Sequence, residues 1–123
     1  MSDRKQAEIN QGDIYWAAPD ESGGIPHPQA VIQADAINHS RISSVVVCAL
    51  STNLRRAKAP GNVLLDEGEA NLPKQSVVVV SQVSSIEKNS LGAYVGTLDE
   101  RRVEQILAGM QFLQRMSQQV GGE

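Results

Sequence analysis

A chain of 123 residues with 41% hydrophobic and 20% charged side chains has the size and composition of one folded domain, which argues against a disordered chain, and one core with no second module is the expectation. Its formal charge of −3 counts against a nonspecific nucleic-acid binder of the histone kind, so any nucleic-acid contact must come from a local basic patch. The aromatics are only Tyr15, Trp16, Tyr94 and Phe112, so the core must be built from Val, Ile and Leu, which favours strands.

Residues 1–8 are polar and read as a flexible lead, followed by a single domain over 9–118 and a tail over 119–123. No signal-peptide pattern is visible, and apolar runs reach six residues at most, far short of a membrane span. The lone Cys48, inside the run Val45–Leu50, cannot form an intramolecular disulfide and fits a reducing compartment. A cytoplasmic location is the expectation.

After the turn pair Gln11-Gly12, Asp13–Trp16 opens a first strand. Turn formers follow from Pro19 to Gly24, and Pro26 and Pro28 flank His27, which predicts a loop there. Gln29–Gln33 is the next strand, then comes a polar connection through Asp35, Asn38 and Ser40. Ser44–Leu50 has no polar face and reads as a strand buried on both sides. Further strands are expected at Asn62–Leu65, Ser76–Val83 and Gly92–Val95. The period then changes. Thr97-Leu98-Asp99-Glu100 matches a capping box with Thr97 as N-cap. Val103, Ile106, Leu107, Met110 and Leu113 recur at helical spacing, with Arg101, Arg102, Glu104 and Gln105 on the opposite face. Gly121-Gly122 closes the helix. Parallel strands would need crossovers of a dozen residues or more, and the one clear helix is terminal. The pattern therefore predicts an antiparallel, strongly curved sheet or barrel with a C-terminal helix.

Four segments, in order, carry a family resemblance. Gln11–Trp16 resembles the opening strand of the MazF/PemK/Kid toxins. Gly23–Gln33 is similar to their Gly-Gly-x-Arg-Pro segment, with His27 before Pro28 in place of the arginine and Pro26 as an extra residue. Val46–Asn53 is similar to the family strand that ends in a hydroxyl residue. Gln75–Gln82 with Ile86–Lys88 and Leu91-Gly92 resembles the fourth segment, where Ser84 and Ser90 replace family arginines. The match spans residues 11–115. It implies an SH3-like barrel of the CcdB/Kid/MazF kind, acting as a homodimer. The implied activity is that of the toxin of a type II toxin-antitoxin system, a sequence-selective endoribonuclease. It would cut single-stranded mRNA through attack by the RNA's own 2′-hydroxyl, without metal or cofactor. A cognate antitoxin with an acidic disordered tail would fill the RNA site. The same fold family includes gyrase-poisoning binding toxins that cut nothing, and the replacement of arginine by His27 keeps that alternative open.

Such cleavage requires a base, an acid and donors to the phosphoryl oxygens. His27 is the candidate acid, base or charge stabiliser, because imidazole titrates near neutrality. The resemblance aligns Ser51 with the family's catalytic threonine, with Thr52 the second choice. Asn53, Arg55, Arg56, Lys58 and Gln82 are the candidate RNA-binding residues, the basic ones forming a strip just past Ser51 that would equally suit an acidic antitoxin tail. Trp16 is expected in the core or a subunit interface rather than as a stacking platform. His27, Asp35 and His39 match no metal-ligand spacing.

Overall fold

Alternation along β1 (Asp13–Ala17) shows protein on both sides of the strand, since every residue in it except Trp16 is buried. The computed structural model describes residues 8–18 and 24–121. Most of the expected polar lead, the turn-rich stretch 19–23 with Gly23, and residues 122–123 with Gly122 lie outside the described residues. β1 is followed by β2 (His27–Val31), a single helical turn α1 (Asp35–Asn38), β3 (Ser44–Ser51), the short β4 (Val63–Leu64), β5 (Val77–Glu87), β6 (Tyr94–Thr97) and the helix α2 (Glu100–Gly121). The helix thus runs into the stretch expected to be a tail.

The strands form one six-stranded sheet in the order β4-β5-β3-β2-β1-β6, with every pairing antiparallel. The sheet curls into a half-barrel. Its curl brings the tight turn Glu69–Asn71, which follows β4 in the chain, against β6 at the far edge. A Cβ on Gly96 of β6 would stand 2.0 Å from the Ala70 carbonyl oxygen, so only glycine allows that approach. The turn itself takes left-handed backbone at Ala70 (φ 54°) and Asn71 (φ 62°).

Each face of the sheet carries its own apolar cluster. Ile14, Ala30, Cys48, Leu50, Val78 and Val80 pack under Ile106 of α2, with Met110 and Leu113 at the margin. Tyr15, Ala17, Val31, Val45, Val47 and Ile86 form the second cluster. Because neighbouring residues of β3 alternate between two buried faces, its run of consecutive apolar residues is explained. The Cys48 thiol is fully buried and donates to the Val79 carbonyl at 3.1 Å. Burial pushes it up to about 12, which removes it as a nucleophile at neutral pH.

Several local expectations are corrected by long-range pairing. Strand β2 starts at His27, two residues before the expected start, because Ala17 and Trp16 of β1 pair with His27 and Pro28. Strand β5 runs to Glu87, since Ser44–Cys48 of β3 pair with Val83–Glu87. The N-cap of α2 is Asp99, whose Oδ1 accepts from Arg102 N at 2.9 Å. Thr97 does not cap: its hydroxyl donates to Asp13 Oδ1 at 2.7 Å. Asp13 is wholly buried and also accepts from Asn10 N at 2.9 Å and from the Tyr15 hydroxyl at 3.2 Å. Burial, followed by the Asp13 carboxylate, drives the Tyr15 phenol well above its ordinary value. Arg102 is not on the solvent face of α2. It is buried and grips Glu69 through Nε at 2.9 Å and Nη2 at 3.0 Å, while Leu107 of the expected core stripe is exposed. No helix among the described residues is long and apolar enough to cross a membrane.

Candidate active site

Register explains why residues far apart in sequence share one cleft. In the β2–β3 ladder Gln29 pairs with Ala49. Continuing that register by two residues sets His27 across from Ser51, and the two-residue period of a strand keeps His27, Gln29, Ala49 and Ser51 on one face. On the other side of β3, Cys48 pairs with Val83 but Leu50 pairs with Val78. One β3 residue, Ala49, therefore stands against the four residues 79–82 of β5, and this bulge carries Gln82 beside Ala49. The result is a cleft of about 340 Å³ lined by His27, Gln29, Ser51, Thr52, Arg56 and Gln82 among others.

A second cleft, of about 260 Å³, shares His27 and Thr52 with the first and continues to Trp16, Pro28, Pro73 and Lys74. Trp16 is thus no core residue of this chain. It is the exposed position of β1, 38% accessible, and walls a groove beside the candidate acid–base residue.

The hydroxyl of Ser51 is held at the strand exit by the Asn53 N–H, which donates to Ser51 Oγ at 3.1 Å. Asn53 in turn caps the 3-10 turn Leu54–Lys58, its Oδ1 accepting from Arg55 N at 3.2 Å. That turn points Arg56 into the cleft, whereas Arg55 and Lys58 are exposed and Asn53, Arg55 and Lys58 are outside its lining. Of the expected site, then, His27, Ser51, Thr52, Arg56 and Gln82 are brought together.

Sequence reasoning did not find Asn62, which fixes the turn from outside the cleft. Its Nδ2 donates to the Arg56 carbonyl at 2.9 Å and its Oδ1 accepts from Val80 N at 3.0 Å. A polar residue beside a glycine gave no signal of that role. Nor did it single out Gln29, which in sequence is one polar residue at the start of an apolar strand, or Lys74. His27, Asp35 and His39 do not converge: Asp35 Oδ1 accepts from Gln11 N and Asn38 Nδ2, and His39 pairs with Asn10 at 2.8 Å. Among the described residues no three His, Cys, Asp or Glu side chains group to hold a metal ion.

An open groove holding one imidazole, two hydroxyls, a guanidinium and carboxamides suits a single phosphodiester, with proton transfer and hydrogen bonding to anionic oxygens within reach. Comparison with known proteins gives the family. The chain is 33% identical over 106 residues to "Endoribonuclease MazF6" of Mycobacterium tuberculosis, covering 83% of this chain and 93% of that protein. It is 27% identical over 109 residues to "Endoribonuclease EndoA" of Bacillus subtilis, covering 85% and 92%. Among solved structures, an endoribonuclease from a Mycobacterial species superposes with a TM-score of 0.68 at 19% identity, covering 84% of this chain and 88% of the other. MazF from Deinococcus radiodurans gives 0.65 at 17% identity, covering 86% and 96%. Residues 10–113 match the profile described as "PemK-like, MazF-like toxin of type II toxin-antitoxin system". The chain belongs to the PemK-like, MazF-like toxin family of type II toxin-antitoxin systems.

Proposed function

We propose that this toxin is an endoribonuclease that cuts single-stranded RNA in the cleft between β2, β3 and β5. The observation that carries the reading is the convergence of His27, Ser51, Thr52, Arg56 and Gln82 on one cavity. In the reaction the RNA's 2′-oxygen forms a bond to phosphorus and the bond from phosphorus to the 5′-oxygen breaks. A proton leaves the 2′-hydroxyl and another reaches the departing 5′-oxygen. His27 is the imidazole of the cleft lining, the group placed to take the first proton as base or to supply the second as acid. The Ser51 and Thr52 hydroxyls donate to the non-bridging oxygens, and Arg56 offsets their charge. The products carry a cyclic phosphate and a 5′-hydroxyl.

That relatives at 27–33% identity are named endoribonucleases favours cutting over the gyrase-poisoning alternative. The family further suggests that the toxin works as a homodimer in the cytoplasm and is silenced by a cognate antitoxin whose acidic tail lies along the cleft and the basic turn. Purified protein incubated with a long single-stranded RNA in excess EDTA should yield discrete fragments with those two end groups. Intact RNA across many sequences would overturn the reading.

A further inference from the structure

Gln29 is among the residues lining the cleft and is 1% exposed. Its Oε1 is a buried side-chain oxygen with no hydrogen-bond partner. Leaving such an acceptor unmatched is costly, and native proteins seldom do so without a use for the group. The neighbours do not relieve it. Ala49, its partner across the β2–β3 ladder, has no polar side chain, and Gln82, also lining the cleft, is not bonded to it. A carboxamide in this position has nothing to give up at its oxygen when it turns toward a ligand.

We infer that Gln29 is a specificity-determining residue of the nuclease: its carboxamide oxygen accepts a hydrogen bond from an N–H donor on the edge of a nucleobase held in the cleft, so selecting the base at one position of the cut sequence. The inference rests on the nuclease reading above. Three observations join in it. The group lines the same cavity as the cutting residues, so a nucleotide next to the scissile phosphate lies within its reach. Its acceptor is free in a site otherwise supplied mainly with donors to phosphate. Carboxamides are also well matched to base edges, where they both accept and donate. A site built around a buried acceptor rejects a base that cannot fill it far more strongly than an apolar pocket rejects a shape.

The test maps every 5′-hydroxyl end made from one long RNA by wild type, Gln29→Leu and Gln29→Glu. Leucine removes both the acceptor and the donor in a similar volume, and glutamate keeps an oxygen acceptor while removing the amide donor. Gln29→Leu is expected to cut still, with its preference at one position of the cut sequence relaxed about tenfold or more. Its melting temperature is expected at or above that of wild type, because the unpaired oxygen has gone. Gln29→Glu is expected to keep the preference at that position. If wild type cuts and both variants give its profile unchanged, Gln29 is mere filling and the inference is overturned while the nuclease reading stands. If Gln29→Leu fails to fold, Gln29→Met, which likewise lacks both the acceptor and the donor, takes its place: a relaxed preference in it supports the inference and an unchanged profile overturns it. If wild type cuts nothing, the nuclease reading falls and takes this one with it.

Discussion

A histidine set between two prolines looks like a loop residue, yet here it is the first residue of a strand. Pro26 and Pro28 restrict the backbone, and pairing with Ala17 of β1 fixes it further, so the His27 ring stands at the junction of two clefts. Because His27 is exposed, its removal should leave the fold intact and reach only chemistry. His27→Ala is expected to lower single-turnover cleavage by about 10² or more, with an unchanged melting curve. A rate within a factor of two of wild type would take His27 out of the reaction. How far residues like this are legible depends on what surrounds them. Motifs mark His27 and Ser51 as candidates, whereas Gln29 and Asn62 carry no local mark. The place of Gln29 comes from the β2–β3 register that sets it against Ala49, and that of Asn62 from a hydrogen bond to Val80, which is 18 residues on.

At the scale of elements, the β-branched runs and the apolar stripe of α2 were readable, because burial imposes periods of two and 3.6 on the chain. Ends and packing angles were not. The sequence from Thr97 to Glu100 fits a capping box, but the buried Asp13 carboxylate takes the Thr97 hydroxyl across 84 positions of sequence and leaves capping to Asp99. Similarly Arg102 reads as a solvent-facing charge until Glu69 appears opposite it. Burial alone would raise the Glu69 carboxyl. The hydrogen bonds from Arg102 and the Asp66 N–H, with the guanidinium charge, outweigh it and hold Glu69 below its ordinary value. A carboxylate lowered in this way contributes stability at neutral pH that is lost as pH falls through its folded value. Glu69→Gln is expected to cost about 2 kcal/mol at pH 7, or roughly 8 °C in melting temperature. The gap between variant and wild type should begin to narrow as pH falls past the ordinary carboxylate range and close once pH is below the lowered folded value of Glu69. A gap that does not narrow at all on acidification would mean that shape, not charge, holds the turn. The docking of α2 rests on another contact that no helical pattern reveals. A Cβ at Gly109 would sit 2.1 Å from the Gly61 carbonyl oxygen, and Gly61 has a φ of 86°, so neither backbone yields easily. Alanine is the better helix former by about 1 kcal/mol. Overpacking against a backbone oxygen is nevertheless expected to win, so Gly109→Ala should lower stability by about 2 kcal/mol. A melting temperature equal to wild type would show that α2 is not seated there.

For the molecule as a whole, the charge of −3 sets a limit on how it can hold RNA. A protein that gripped a long run of phosphates would carry a basic face, and its binding would collapse with added salt. Here the cationic side chains lining the two clefts are Arg56 and Lys74, with Arg55 and Lys58 beside them on the exposed turn. Each phosphate neutralised on a single strand contributes roughly −0.7 to the slope of log affinity against log salt. Two contacts therefore give a slope of about −1.4, and recruitment of the two flanking residues about −2.8. Such shallow dependence means that selectivity must rest on short-range hydrogen bonds to a few nucleotides, which suits a groove of this size better than tracking along a strand. Affinity for a 2′-O-methylated RNA, which has no free 2′-hydroxyl to attack, can be measured from low to moderate salt. The slope is expected to lie between those two values, and Arg56→Gln should make it shallower by roughly 0.7. A slope steeper than about −5 would require many more phosphate contacts than one protomer's clefts supply, and would place the main RNA-binding surface elsewhere, across a face assembled from two subunits.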